Sequence, residues 1–174
     1  MKKFELTSET KINIFGKKLF RIKALVSFGV VKTGETGGWV EKEENVNQSG
    51  NAWVYGNAEV SGNARVYGNA WVSGNAEVYG NAEVYGNARV SGNAEVYGNA
   101  DYTTIHGFGT QFRTTTFFQC EDKQIRVSCG CFLGTIPEFR EQVKNTREGK
   151  IAEEYLMIAD LMEKHFVKEK ESGE

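Results

Sequence analysis

The chain has 174 residues, a formal net charge of −2 and 40% hydrophobic residues, which is enough to form the core of one domain or two small ones. The near-neutral charge indicates no class of partner. Apolar runs stay well short of the ~18 residues that a membrane-spanning helix needs, and the first residues lack the apolar core of a signal peptide. Three cysteines, an odd number, argue against a secreted disulfide scaffold. We therefore expect a soluble, cytoplasmic protein that makes no membrane contact.

The amino-terminal residues 1–38 alternate as β-strands do. In KINIFGKKLFRIKALVSF, apolar residues alternate on both sides of the turn sequence FGKK. Basic residues beside Phe15 and Phe20 can indicate nucleic-acid binding. An alternating hairpin with one solvated face explains them better, so nucleic acid is not an expected partner. We expect this segment to form a β cap that covers the first unit of the repeat that follows.

A six-residue phrase, N-A-x-V-[YS]-G, dominates the middle of the chain. It is repeated eight times without interruption in 51–98, and 39–50 and 105–110 keep the frame loosely. A period of six is too short for a helical-hairpin repeat and fits no α-helical stripe, but it suits a short strand followed by a corner. By alternation, valine points inward, whereas x and Tyr/Ser point outward. Gly-Asn is expected to turn the chain, because both residues tolerate positive φ.

This phrase resembles the hexapeptide-repeat left-handed β-helix, in which an inward valine and an alanine four residues later recur every six residues. The resemblance covers residues 39–110 and implies a triangular prism with three hexads per coil. GNAxV[YS], preceded by KFELTSETKINIFGKKLFRIKAL and followed by VSCGCFLGTIPEF, also resembles uncharacterised hexapeptide-repeat proteins of phages and prophages. The expected fold is mainly β: a left-handed parallel β-helix, an N-terminal β cap over 1–38, and a C-terminal β-hairpin plus two α-helices over 111–174.

The implied coil of three hexads places the variable outward residues in three ladders. The first face carries Trp53, Trp71 and Arg89, with Tyr55 beside them; the second carries Glu59, Glu77 and Glu95; the third carries Arg65, Glu83 and Asp101. Exposed aromatic patches mark interfaces, and Trp, Tyr and Arg are typical anchors. The aromatic patch could be covered by the C-terminal segment of the same chain, contact another subunit or a partner, or have no role. The glutamate ladder is either a solvated face or a site for a basic partner or a cation.

Beyond the repeat, the sequence predicts a short β element and then helices. TTTFFQCEDKQIRVSCGCF is typical of a β-hairpin around Glu121, Asp122 and Lys123. Thr135 and Glu138 form a capping box, which predicts a helix over 136–147. A second helix is predicted over 150–167, with an apolar stripe suited to packing.

The residues that could carry chemistry are few. Cys120, Cys129 and Cys131 are candidate metal ligands, and Cys120 and Cys129 could meet across the hairpin. Their spacing lacks the paired signature of a zinc site, which favours buried apolar thiols and no cofactor. Hexapeptide-repeat acyltransferases, which the repeat resembles, use a histidine base near a subunit cleft, and His106 is the candidate for that role.

These observations favour a non-catalytic protein-binding module, a phage or prophage accessory factor that binds and inhibits a host defence or regulatory protein. Its expected anchors are Trp53, Trp71, Tyr55 and Arg89. The partner is a host protein or a second copy of the chain in a homo-oligomer. The alternatives are a coenzyme-A-dependent acyltransferase built around His106 and a purely structural, self-assembling protein.

Overall fold

The amino-terminal segment forms three antiparallel strands in the computed structural model, which describes residues 1–167. They are β1 (Phe4–Ile12), β2 (Lys18–Ala24) and β3 (Thr36–Val40). β1 pairs with β2, and β2 pairs with β3. The connection between β1 and β2 turns at Gly16, whose φ is +73°. The predicted N-terminal hairpin is therefore confirmed.

Eight two-residue strands follow and build a parallel β-solenoid of about three turns. They are β4 (Trp53–Val54), β5 (Glu59–Val60), β6 (Arg65–Val66), β7 (Trp71–Val72), β8 (Glu77–Val78), β9 (Glu83–Val84), β10 (Arg89–Val90) and β11 (Glu95–Val96). The first five of these strands, β4 to β8, each pair in parallel with the strand three repeats later, as Trp53 does with Trp71 and Glu59 with Glu77. The three ladders are β4–β7–β10, β3–β5–β8–β11 and β6–β9. The N-terminal hairpin extends the second of these ladders, because β3 pairs with β5.

The solenoid core consists of the constant residues of the phrase. Every alanine and valine of the eight repeats is buried, with at most 2% of its surface exposed. This confirms that valine and alanine point inward. Stacking the small repeats buries a continuous apolar column that no single repeat could bury alone.

Glycine and asparagine have different roles at each corner of the solenoid. The corner glycines from Gly50 to Gly92 have positive φ, whereas none of the described asparagines does. The asparagines instead stack, and the side-chain amide of one donates to the side-chain oxygen of the next, at 3.1 Å from Asn51 to Asn69 and again from Asn69 to Asn87. Asparagine is thus present for its ladder of hydrogen bonds, and the expectation that it shares the positive-φ role was wrong.

The solenoid is shorter at its C-terminal end than the expected 39–110. Strand β12 (Tyr102–Phe108) pairs antiparallel with β13 (Arg113–Gln119) and so leaves the solenoid ladders. The phrase loses its inward valine after Val96, and Tyr102 closes the end of the prism, with its hydroxyl donating to the carbonyl of Glu83 at 2.5 Å. Residues 102–108 therefore belong to the C-terminal sheet.

The C-terminal sheet continues with β14 (Ile125–Cys129) and β15 (Phe132–Thr135) in the order β12–β13–β14–β15. The predicted hairpin around Glu121–Lys123 is confirmed as the β13–β14 turn. The two helices are α1 (Ile136–Thr146) and α2 (Gly149–Phe166), close to the predicted spans. The capping box is present, since the Thr135 hydroxyl accepts from the Glu138 amide and the Glu138 carboxylate accepts from the Thr135 amide.

Two apolar cores result. One fills the solenoid and is closed by Phe4 at one end and by Tyr102 and Phe118 at the other. The second lies between the C-terminal sheet and the helices, where Phe117, Phe139 and Tyr155 pack together. The apolar stripe of α2 is part of this second core, as expected for a packing surface.

Candidate functional site

Trp53, the first expected anchor, is buried. None of its surface is exposed, and its ring packs edge-on against Phe4 at 6.0 Å and Phe28 at 5.3 Å between centroids. Gly37 also lies against this ring, because a Cβ there would meet the indole. The assignment of Trp53 to a contact surface was therefore wrong. The side chain does leave the prism, but the N-terminal cap, rather than the C-terminal segment, folds over it.

The other three residues of the first face, Tyr55, Trp71 and Arg89, remain on the surface. From this point the term first face refers to these three residues only. Tyr55 is 44% exposed, Trp71 is half-buried, and their ring centroids lie 6.2 Å apart. Arg89 is exposed and pairs with Trp71 in the ladder. The structure thus brings together three of the four predicted anchor residues. Trp71 packs against the apolar core that contains Trp53, and this contact supports its ring.

The C-terminal sheet borders the first face. The backbone N–H of Arg89 donates to the Thr116 hydroxyl at 3.0 Å, so β13 lies next to β10. A recess of about 380 Å³ opens at this junction, between solenoid corners and the sheet. Its lining residues are Asn69, Asn87, Arg89, Arg113, Thr114 and Gly130.

A second recess of about 650 Å³ shares Arg113 with the first. Lys144 and Arg147, at the end of α1, line its far side together with neutral polar residues and Glu148. These cations could not be predicted from the sequence, because they are separated along the chain and only the tertiary fold brings them to one side. No local motif marks them.

The glutamate ladder is partly neutralised by the chain itself. Glu59 pairs with Lys11 at 2.6 Å, and Glu95 pairs with Lys123 at 2.6 Å. Glu95 also accepts a hydrogen bond from the Tyr79 hydroxyl at 2.6 Å. Glu77 lies between these two ion pairs. Burial, followed by the charges of Glu59 and Glu95, raises the pKa of the Glu77 carboxyl above its usual value.

An aromatic row runs beside this ladder. Phe15, at the tip of the N-terminal hairpin, lies 4.7 Å from Tyr79, and Tyr79 lies 5.4 Å from Tyr97 between ring centroids. Lys11 also lies over the ring of Trp39 at 4.7 Å. The hairpin tip therefore folds across the second face, and Lys11 and Lys17 of the cap act as internal counter-charges for Glu59 and Glu41.

The cysteines do not converge. Cys120 forms an isolated backbone β-bridge with Ala94, whereas the residues paired with Cys129 in the sheet are Thr115 and Phe132. The expectation that Cys120 and Cys129 meet across the hairpin was wrong, because the register places Gln119 opposite Ile125 and leaves Cys120 in the turn. Burial raises the pKa of the Cys120 thiol to about 11, so this thiol is protonated at neutral pH. Among residues 1–167, no group of three His, Cys, Asp or Glu residues is placed to hold a metal ion.

His106 is exposed on β12, at the point where the pairing with β13 shifts register between Ile105 and Phe108. It lies in the C-terminal sheet and not on a solenoid coil. Among the described residues, no side chain forms a hydrogen bond with the His106 imidazole that would orient it as a base.

Comparison with known families supports the repeat. A family model described as the YdcK beta solenoid repeat matches residues 58–74 and 82–98. Both segments lie inside the solenoid and together cover less than half of the chain, so the chain is similar to that family in its repeat. No curated protein matches the chain significantly. Neither helix within residues 1–167 is both long and apolar enough to cross a membrane.

Proposed function

We propose that this protein is a non-catalytic protein-binding module whose contact surface is the first face. The observation that carries the proposal is the adjacent pair Tyr55 and Trp71, partly exposed and followed by Arg89 on one solenoid ladder. Aromatic and arginine side chains dominate the binding energy of protein interfaces. The glutamate face is less suited to this role, because two of its three carboxylates already hold lysines of the same chain.

Rigidity favours binding by this surface. Trp71 rests on the solenoid core, and hydrogen bonds between stacked asparagines fix the corner beside it. A side chain that is already ordered loses little conformational entropy when a partner docks. A small surface can therefore supply useful affinity without a folding transition.

The biological setting that we propose is that of a phage or prophage accessory factor acting in the host cytoplasm. The support is the resemblance of the repeat and its flanking sequences to phage-encoded proteins. The partner would be a host defence or regulatory protein, which the module inhibits by occupying its surface. We also propose that the solenoid is the left-handed, hexapeptide type. The ladder step from Trp53 to Trp71 and from Trp71 to Arg89 supports three hexads per coil, and the resemblance of the phrase supports the handedness.

A capture experiment with host lysate tests the proposal. The tagged wild-type protein is compared with Tyr55→Ala/Trp71→Ala, and captured proteins are identified by mass spectrometry. A matched control, Tyr67→Ala/Tyr85→Ala, removes another contacting aromatic pair, whose rings stack at 5.3 Å on the third face. We expect one stoichiometric host protein with the wild type and the control, and its loss with the first-face variant.

A second variant separates binding from folding. Tyr55 and Arg89 are both exposed, so Tyr55→Glu/Arg89→Glu should leave the thermal unfolding midpoint nearly unchanged and still abolish capture. Capture that survives in both variants would contradict the proposal. So would an empty eluate from well-folded wild-type protein that self-associates, since that result supports a structural, self-assembling role.

A further inference from the structure

We propose that the first face continues into a basic groove, formed by Arg89, Arg113, Lys144 and Arg147, that binds an acidic segment of the partner protein. This inference rests on the proposed function and adds the chemistry of the partner to it. We call the two recesses that share Arg113 the basic groove.

The groove is continuous with the first face. Arg89 belongs to the first face and also lines the recess that contains Arg113. Arg113 in turn lines the recess that contains Lys144 and Arg147. A partner segment leaving Trp71 would therefore pass three guanidinium groups in succession, on the solenoid, the C-terminal sheet and the end of α1.

The absence of a side chain at Gly130 leaves room for Arg113 in the middle of the groove. Gly130, in the turn between β14 and β15, has a φ of +62°. A Cβ at this position would collide with the Arg113 guanidinium, so the glycine gives Arg113 room to lie across the turn. Arg113 also lines the small cavity over Phe132 and Phe139, between the sheet and α1.

The three arginines of the groove have no carboxylate partner within residues 1–167, whereas Lys144 pairs with Glu141 at 3.3 Å. Elsewhere in the C-terminal part, Arg126 pairs with Asp122, and Arg140 pairs with both Asp160 and Glu163. Arg89, Arg113 and Arg147 form no salt bridge with any carboxylate within residues 1–167. Glu148 is the single carboxylate lining the two recesses. Like charges gathered without counter-ions repel one another, and a bound carboxylate would relieve that repulsion.

Carboxylates suit this groove better than nucleic acid does. Guanidinium groups bind carboxylates through two parallel hydrogen bonds. The amide and hydroxyl groups of Gln111, Asn145 and Thr146 can bind the backbone of an extended peptide. A protein with a net charge of −2 is also a poor general binder of polyphosphate.

A defined probe tests the inference without knowledge of the natural partner. The probe is a fluorescent peptide of about eight glutamates, which reaches roughly 26–29 Å in extended form. Its binding is measured by fluorescence anisotropy at low and at physiological salt. Arg113→Glu/Arg147→Glu reverses two charges in the groove, whereas Lys23→Glu/Lys32→Glu reverses two exposed charges on the N-terminal cap and serves as the matched control.

We expect the wild type to bind the peptide, more weakly as salt rises, and the groove variant to lose at least about tenfold in affinity. The control should stay within about twofold of the wild type. An equal loss in both variants, or no binding at low salt, would overturn the inference. Tighter binding of a single-stranded DNA of equal length, lost in the groove variant, would also overturn it and indicate a nucleic-acid site.

The two proposals fail in different ways. If the host protein is captured through Tyr55 and Trp71 but the groove variant binds it as tightly as the wild type, only the basic groove is wrong. If the peptide binds in the groove but capture does not depend on the first face, the proposed contact surface is wrong and the groove alone remains.

Discussion

At the scale of single residues, the chemistry of this protein depends on what covers each outward side chain of the repeat. Trp53 and Trp71 occupy equivalent positions and pair directly in the ladder. Trp53 is covered by Phe4 and Phe28, whereas Trp71 lies one turn further along and keeps part of its surface. Residues at equivalent positions of the phrase therefore have different surroundings: Trp53 packs under the N-terminal cap, and Trp71 stays partly exposed.

Replacement of Trp53 tests its structural role. Trp53→Ala removes a fully buried ring between the cap and the solenoid, so we expect a loss of about 3–5 kcal/mol in the free energy of unfolding. Trp53→Phe should cost less, because the indole N–H has no hydrogen-bond partner among the described residues. Urea unfolding followed by circular dichroism measures both. A Trp53→Ala variant as stable as the wild type would show that the cap does not rest on this ring.

Glu77 gives a pH-dependent test of the glutamate ladder. The pKa of its carboxyl is raised in the folded state by burial and by the neighbouring carboxylates. The folded protein therefore favours the protonated form more than the unfolded chain does, and this stabilising contribution is lost as the pH rises from the unfolded pKa through the folded pKa. Glu77→Gln should raise the free energy of unfolding by about 0.5 kcal/mol at pH 7. This gain should shrink as the pH falls through the folded pKa towards the unfolded value, where wild-type Glu77 is protonated too.

Glu83 is the matched control for Glu77. It occupies the same position in the phrase but pairs in the ladder with Arg65 and accepts a hydrogen bond from the Tyr67 hydroxyl at 3.2 Å. Glu83→Gln should therefore be neutral or slightly destabilising at pH 7. Urea unfolding of the Glu77 and Glu83 variants across the pH range measures both effects. An equal gain for both variants would mean that net charge, and not the ladder, determines the effect.

At the scale of the repeat element, the corner glycines from Gly50 to Gly92 all adopt positive φ, but the space around each glycine varies from coil to coil. Gly74 and Gly86 have nearly the same φ, +71° and +67°. A Cβ on Gly74 would lie 2.8 Å from the backbone nitrogen of Gly92 in the next coil, whereas a Cβ on Gly86 would meet no atom within 4 Å. Both corners thus require positive φ, but only at Gly74 does the backbone of the next coil also approach closely.

Alanine substitutions separate these two effects. Gly86→Ala should cost about 1 kcal/mol, the price of placing a side chain in the left-handed region. Gly74→Ala should cost at least about 1 kcal/mol more, because the backbone of the next coil must also move. Denaturant unfolding of the two variants gives the difference directly. Equal losses would show that the coils can separate at the corner without cost.

At the scale of the whole molecule, most of the architecture could be predicted from the sequence, because it is written in local patterns. The six-residue phrase indicated the solenoid with its inward valine and alanine, and FGKK and the Thr135–Glu138 pair indicated the hairpin and the first helix. The contact between Trp53 and the cap could not be predicted, because it joins residues far apart in sequence. The basic groove could not be predicted for the same reason. The position of Cys120 in the turn depends on the pairing register of β13 and β14, which the sequence pattern does not specify.

The asparagine ladders are an intermediate case. A signal for them was present, since asparagine recurs at the same place in every repeat and therefore stacks on itself once the coil length is known. Its capacity for positive φ was the wrong explanation because glycine already supplies that conformation at each corner. The ladder of amides does need asparagine, whose side chain both donates and accepts.

Site-specific photo-crosslinking in host cells shows which face of the solenoid contacts the proposed partner. A photo-reactive phenylalanine analogue replaces Tyr55 in one variant and Tyr85, which is 52% exposed on the third face, in another. Our account predicts a crosslink from position 55 to one host protein and none from position 85. Equal crosslinking from both positions, or crosslinking from position 85 alone, would contradict the assignment of the first face as the contact surface.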